Sequence, residues 1–170
     1  MTPFRVLGAV LGLALSEPAF AALHVEVTPG PSHSSLCAFW GDAMLLTVSD
    51  GDRRLVAHRY CSAYGRGRAR LVTDARGHSY VFVDHSITHG SHATSDLLTV
   101  YRFGKGLRQR VRLPALVPIG AFSDAKYSYE IRRPRRGGLE LIGSVKVVGK
   151  AGKGDDVPDP PQRLSVDVRR

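Results

Sequence analysis

Cysteine is nearly absent from this chain, with only Cys37 and Cys61 in 170 residues. Neither sits in a C-x-x-C pair, which removes the close-spaced thiolate clusters of zinc modules. Mature glutamates are equally few, since Glu26, Glu130 and Glu140 alone follow Glu17. All three fall in strand-like patterns, so paired acids for glycoside cleavage have no obvious source. No G-x-S-x-G elbow occurs, and nothing else marks a nucleophile. A small hydrolase is therefore the weakest functional reading. Helical periodicity is missing too: no segment of eleven or more residues beyond the amino terminus keeps apolar positions at i, i+3, i+4 and i+7 without a Gly or Pro.

Long apolar runs are short of what a membrane helix needs. The longest is Val6 to Leu15, ten residues against the roughly 20 of a span. Arg5 precedes it, Ser16-Glu17-Pro18 breaks it, and Ala19-Phe20-Ala21 supplies a small-x-small cleavage pattern. Residues 1–21 thus read as a cleaved export signal. The expected location is the periplasm if the source is Gram-negative and the extracellular space otherwise, with no transmembrane span in the mature chain. An oxidising compartment makes a single Cys37–Cys61 disulfide the expected use of the two cysteines.

Charge of one sign dominates what remains. Lys and Arg total 24 against 15 Asp and Glu, a net charge of +9, and 19 of the 24 are Arg. The export signal carries one Arg and one Glu, so its removal leaves the excess unchanged. Arg presents a planar fork of donors to carboxylate or phosphate oxygens. Three segments concentrate the charge: 53–76 with seven Arg, 102–112 with five basic residues, and 132–136 with four Arg. Export makes chromosomal nucleic acid an unexpected partner. The segment Tyr64-Gly65-Arg66-Gly67-Arg68 resembles arginine-glycine elements that contact nucleic acid, but it is a single short stretch that a turn explains as well.

Strand signals fill the rest of the chain. Leu23 to Val27 alternates apolar and polar residues. Ala43 to Val48 and Arg54 to Tyr60 flank Asp50-Gly51, a two-residue hairpin signal. Pairing about that dipeptide sets Leu46 opposite Leu55, Met44 opposite Ala57 and Trp40 opposite Cys61. A second hairpin joins Ala69 to Thr73 and Ser79 to Asp84 through Asp74-Ala75-Arg76-Gly77. A loop from His85 to Thr94 then leads to a strand from Ser95 to Phe103, and Gly104-Lys105-Gly106 turns into Leu107 to Leu113. In that last strand Leu107, Val111 and Leu113 are expected on one face and Arg108, Arg110 and Arg112 on the other. Pro114 and Pro118 interrupt the chain before a third hairpin, Lys126 to Arg132 with Leu139 to Val148. Residues 149–161 have linker composition, and 162–170 read as an edge strand or a tail.

About nine short strands joined by hairpins imply an all-β single domain over 22–148, an antiparallel sandwich or barrel; the length is too small for a complete propeller. Two candidate sites follow. The cluster His85, His89, His92, with Asp84 or Asp96 completing the shell, offers ligands for zinc or copper, which would make the chain a periplasmic metal-binding protein. The arginines Arg108, Arg110, Arg112, Arg132, Arg133, Arg135 and Arg136 offer an anion-binding face. The leading expectation is a non-enzymatic exported protein that binds an anionic envelope component or a protein partner through that face.

Overall fold

A computed structural model describes residues 23–30, 37, 41–88, 94–150, 152, 156, 159 and 162–168. The segment read as an export signal lies outside them. Ten strands occupy most of the described chain: β1 (Leu23–Pro29), β2 (Asp42–Asp50), β3 (Arg53–Ser62), β4 (Gly67–Thr73), β5 (Ser79–Thr88), β6 (Thr94–Phe103), β7 (Leu107–Gly120), β8 (Ser123–Arg132), β9 (Leu139–Gly149) and β10 (Leu164–Val166). They form two antiparallel sheets, a three-stranded one in the order β1-β2-β3 and a seven-stranded one in the order β4 through β10. No ladder joins β4 to β10 among the described residues, so the larger sheet is not a closed barrel. No helix among them is long and apolar enough to cross a membrane.

Both faces of the larger sheet are covered near β5, which explains why Tyr80-Val81-Phe82-Val83 reads as an unbroken apolar run. Val81 and Val83 face the small sheet and pack with Leu46, Val48 and Tyr101. Tyr80 and Phe82 face the other way, into a core with Leu98, Val100, Leu113, Leu139, Leu141 and Val166. That second core draws on strands from both ends of the sheet, so the sheet curls around it. The ends are tied where Arg133 Nε donates to the Thr73 carbonyl at 2.9 Å and Gly138 N–H donates to Asp74 Oδ2 at 2.6 Å.

The expected register of the first hairpin is corrected. Asp50 pairs with Arg53, so the turn is Gly51-Asp52, with Gly51 at φ 54°. Leu55 has no cross-strand partner because a bulge lies beside Val48 and Ser49, and Leu46 pairs with His58 rather than Leu55. An extra residue reverses the alternation beyond it. Leu46 is accordingly 0% exposed and Leu55 37% exposed. Met44 pairs with Tyr60, and Cys61 pairs with Ala43. The Cys37–Cys61 disulfide is present, with the Cα atoms 5.5 Å apart.

Two further expectations change. His85 is not in a loop: β5 runs on to Thr88 and β6 begins at Thr94, in register from Thr88↔Thr94. Pro114 does not end its strand either, since β7 continues through it to Gly120. A ladder irregularity between Asp96 and Leu97, opposite Leu116 and Pro114, leaves Ala115 unpaired. Bulges tolerate a residue without a backbone donor. The final edge strand is present as β10, paired with Leu139–Leu141 of β9.

Candidate anion-binding site

Because consecutive strands of the large sheet are antiparallel neighbours, the β4–β5, β6–β7 and β8–β9 turns all lie at one end. Arg76, Lys105, Arg135 and Arg136 are carried by those turns and exposed there. At the central turn, Gly104 N–H donates to the Gly106 carbonyl at 3.0 Å, closing a tight connection between Phe103 and Leu107. Beside it Arg102, Lys105, Arg108 and Arg110 line an open notch of about 260 Å³. Four cations around one concavity create a field that attracts anionic oxygens.

The row expected on β7 is broken. Val100 pairs with Val111 and Tyr101 with Gln109, which leaves Arg110 as an unpaired bulge residue. Leu107 consequently packs in the core between the sheets, whereas Val111 and Leu113 belong to the core on the other side. Arg108 pairs with Arg102 and lines the notch with Arg110. Arg112 pairs with Thr99 and stands apart from the notch; its charge acts on His85 and Tyr101. The structure thus separates Arg112 from Arg108 and Arg110, which simple alternation placed together with it.

Among the described residues, one carboxylate lies against the notch. Asp167, just past β10, places Oδ2 3.0 Å from Arg110 Nε and 3.7 Å from Arg102 Nη1. The hydroxyl of fully buried Tyr80 lies near, and burial together with the Asp167 and Asp74 charges pushes it up to about 12. Of the remaining arginines, Arg132 pairs with Glu130 at 2.8 Å and Arg133 is held by the Thr73 carbonyl. Arg102 and Lys105 are site residues that sequence reasoning had only inside a charge cluster. Their signal was positional: Arg102 is the next-to-last residue of β6 and Lys105 sits at the tip of its Gly-Lys-Gly turn.

No family model, curated protein or solved structure matches this chain.

His85 lies toward the opposite end of the sheet. His89 and His92 fall outside the described residues. His85 is buried and its Nε2 lies 3.0 Å from Thr99 Oγ1, while Nδ1 has no aligned hydrogen-bond partner. Burial, aided by the Arg112 charge, lowers it to about 4, and the Cys61 backbone and Asp96 offset only part of that. The ring is therefore neutral near pH 7, packed edge-on to Tyr60 with centroids 5.6 Å apart. Among the described residues no group of three His, Cys, Asp or Glu side chains is arranged to hold a metal ion.

Ser86 and Asp96 face away from that ring, as successive strand residues must. Ser86 Oγ donates to Asp96 Oδ1 at 2.5 Å, and Ser86 N–H donates to Ser62 Oγ at 3.0 Å. Ser62 Oγ in turn donates to the Arg66 carbonyl, which fixes the 3-10 turn Ala63–Gly65 against β5. The arginine-glycine element is thus a turn and the start of β4. These groups border a recess of about 1050 Å³ that also meets Arg66, Arg68 and Asp84. Desolvation raises Asp84, against the lowering pull of Arg70 and Arg68, with Asp96 adding to the rise. Opposite charges face each other here, unlike the nearly all-cationic notch.

Proposed function

We propose that this chain is an exported, non-enzymatic β-protein that binds an anionic envelope polymer through the arginine-rich hairpin end of its large sheet. The observation that carries the reading is the notch lined by Arg102, Lys105, Arg108 and Arg110. Arg76, Arg135 and Arg136 extend its charge across the neighbouring turns. Guanidinium forks in such a row suit regularly spaced carboxylate or phosphate groups. The bulge at Arg110 takes Arg112 out of the alternation, so Arg102, Arg108 and Arg110 form a local cluster at the notch rather than part of a continuous stripe along β7. A soluble protein delivered by the signal at residues 1–21, as a sandwich-like β fold stapled by a disulfide, suits an oxidising location outside the cytoplasm.

The test is retention of the full chain, freed of residues 1–21, on a polyanionic matrix across a salt series. Attraction between exposed charges weakens as the screening length falls from about 10 Å at 0.1 M to about 3 Å at 1 M salt. Steep loss of retention over that range supports the reading, and a chain that passes unretained at low salt defeats it. Localisation is tested separately by the mass of the exported protein, which is expected to begin at Ala22.

A further inference from the structure

Asp167 occupies an uncommon position. Its backbone φ is 54°, in the left-handed region that residues with a Cβ enter at a cost. The strand before it, β10, is only three residues long and pairs with β9 over three positions. Gly138, at φ 77°, lets the chain pass so close that a Cβ there would meet Val168 N at 2.5 Å. The carboxylate is thereby brought onto Arg110 and Arg102. Its Oδ2 is buried at ion-pair distance but makes no aligned hydrogen bond. The nearby Tyr80 hydroxyl, wholly buried, likewise has no aligned partner.

Arg110 is the wall between two concavities. One is the notch with Arg102, Lys105 and Arg108; the other, about 250 Å³, is bounded by Val111, Leu164 and Asp167. We propose that Arg102 and Arg110 form the receptor for an anionic oxygen group, carboxylate or phosphate, and that Asp167 fills it as a tethered competitor, so that a polyanion binds by displacing Asp167 and releasing β10. This rests on the anion-binding reading above and adds the group recognised and its regulation.

Competition follows from what each anion can reach. Asp167 brings one carboxylate and engages two arginines in a strained backbone with imperfect alignment. A polymer brings several anionic groups in series, and its next group falls on Lys105 and Arg108, which Asp167 does not contact. Displacement removes the Asp167 carboxylate from beside the notch, which raises its positive potential for the incoming chain. Losing Asp167 also removes one of the two ionic ties beside β10, leaving the Arg163–Glu140 pair at 2.6 Å, the short ladder to β9 and the packing of Val166 in the core. A strand of that length has little to hold it alone. Ligand occupancy and the docking of β10 are therefore coupled, each weakening the other by the same factor.

The test uses the whole mature chain with two probes at low salt, oligogalacturonate for carboxylate and short-chain inorganic polyphosphate for phosphate. Asp167→Asn and Asp167→Gly remove the charge with residues that accept the left-handed backbone. Both are expected to bind one probe at least about threefold more tightly than the parent, and that probe identifies the group. Glu130→Gln, which removes one negative charge on Arg132 instead, is expected to gain less than either. Adding the probe to the parent should speed amide exchange at Leu164–Val166 while β5 and β6 stay protected. If the parent binds with the expected salt dependence but neither Asp167 variant gains more than Glu130→Gln, Asp167 is only structural and the competitor is overturned, with the anion-binding reading intact. If the parent and both variants bind neither probe, both proposals fall.

Discussion

Asp74 and Gly138 are separated by 64 residues of chain and joined by a 2.6 Å hydrogen bond, with the Gly138 N–H donating to Asp74 Oδ2. The same carboxylate accepts from Arg76 N–H at 2.8 Å and His78 N–H at 2.9 Å, and its Oδ2 lies 3.0 Å from His78 Nδ1. A side chain that looks like ordinary turn chemistry thus fastens the β4–β5 turn to the β8–β9 turn. It holds the curl of the sheet and, through Gly138, the place where β10 docks.

Replacing Asp74 with Ala should be among the costlier single changes in the molecule. The loss strands the buried Gly138 N–H and the partly buried Arg76 and His78 N–H groups that a charged acceptor had satisfied, worth about 3 kcal/mol in denaturant unfolding. Burial pushes this carboxyl up, but the hydrogen bonds from Gly138, His78 and Arg76 outweigh it and hold it at about 2 against an ordinary 3.8. A carboxyl lowered by folding stabilises above its unfolded value and loses that contribution as the pH falls. Stability should therefore decline between about pH 4 and pH 2, and Asp74→Asn should flatten that part of the profile. A parent-like acid slope in the Asn variant would place the titration elsewhere.

The disulfide closes a stretch of 24 residues of sequence separation, from Cys37 to the end of β3. Without it, β3 keeps its ladder to β2 and Cys37 loses its covalent tie to β3. Chain-entropy reasoning puts the loss at about 3 kcal/mol. The double variant Cys37→Ser, Cys61→Ser should unfold at correspondingly lower denaturant, with anion retention preserved in the folded state. A midpoint unchanged from the parent would show that the bond is dispensable.

Most strands were legible because hairpins announce themselves locally. Asp74-Ala75-Arg76-Gly77 and Gly104-Lys105-Gly106 each mark a turn between apolar alternations, and the strands on either side lie within two residues or so of where the pattern put them, save where β5 and β7 run on. What failed was parity. A single unpaired residue at Leu55, and another at Arg110, each inverts the faces beyond it, and no local signal distinguishes a bulge from continued alternation. Arg108 and Arg112 were consequently assigned to one row, and Asp167 was not connected to it at all. Its approach depends on β10 returning to β9 across a composition that reads only as linker. The loop expected at His85 failed for a related reason: Ser and Thr around His are polar, yet Ser86 and His85 are buried in β5 by partners, Ser62 and Thr99, distant in sequence.

Neutralising cations should discriminate the notch from the bulk charge. Lys105→Gln with Arg108→Gln removes two charges from the concavity, whereas Arg112→Gln with Arg59→Gln removes two that lie outside it. All four residues are exposed, so little stability is at stake. The first pair should weaken polyanion binding by roughly tenfold, about 1.4 kcal/mol, and the second by only about two- or threefold through the long-range field. Equal losses from both pairs, measured at one salt concentration, would make the surface unselective.

His85 should make the fold sensitive to mild acid. Its ring is lowered to about 4, chiefly by burial, and its unfolded value is near 6.5. The unfolded chain therefore takes up a proton first, so the contribution of the neutral ring is complete above about pH 6.5 and is lost as the pH falls toward 4. The loss should reach roughly 2 kcal/mol over that window once partial solvent screening is allowed for. Asp74 titrates below it, so the two effects separate along the pH axis. In His85→Gln, which keeps a polar group within reach of Thr99, overall stability is set lower by the lost ring packing against Tyr60, but its dependence on pH between 6.5 and 4 should be much shallower. His58, also lowered by burial, retains its part of the slope in that variant. Urea midpoints of parent and variant at pH 7, 5.5 and 4.5 decide the matter: parallel profiles would show that the ring is protonated without cost and that the Thr99 contact does not select its neutral form.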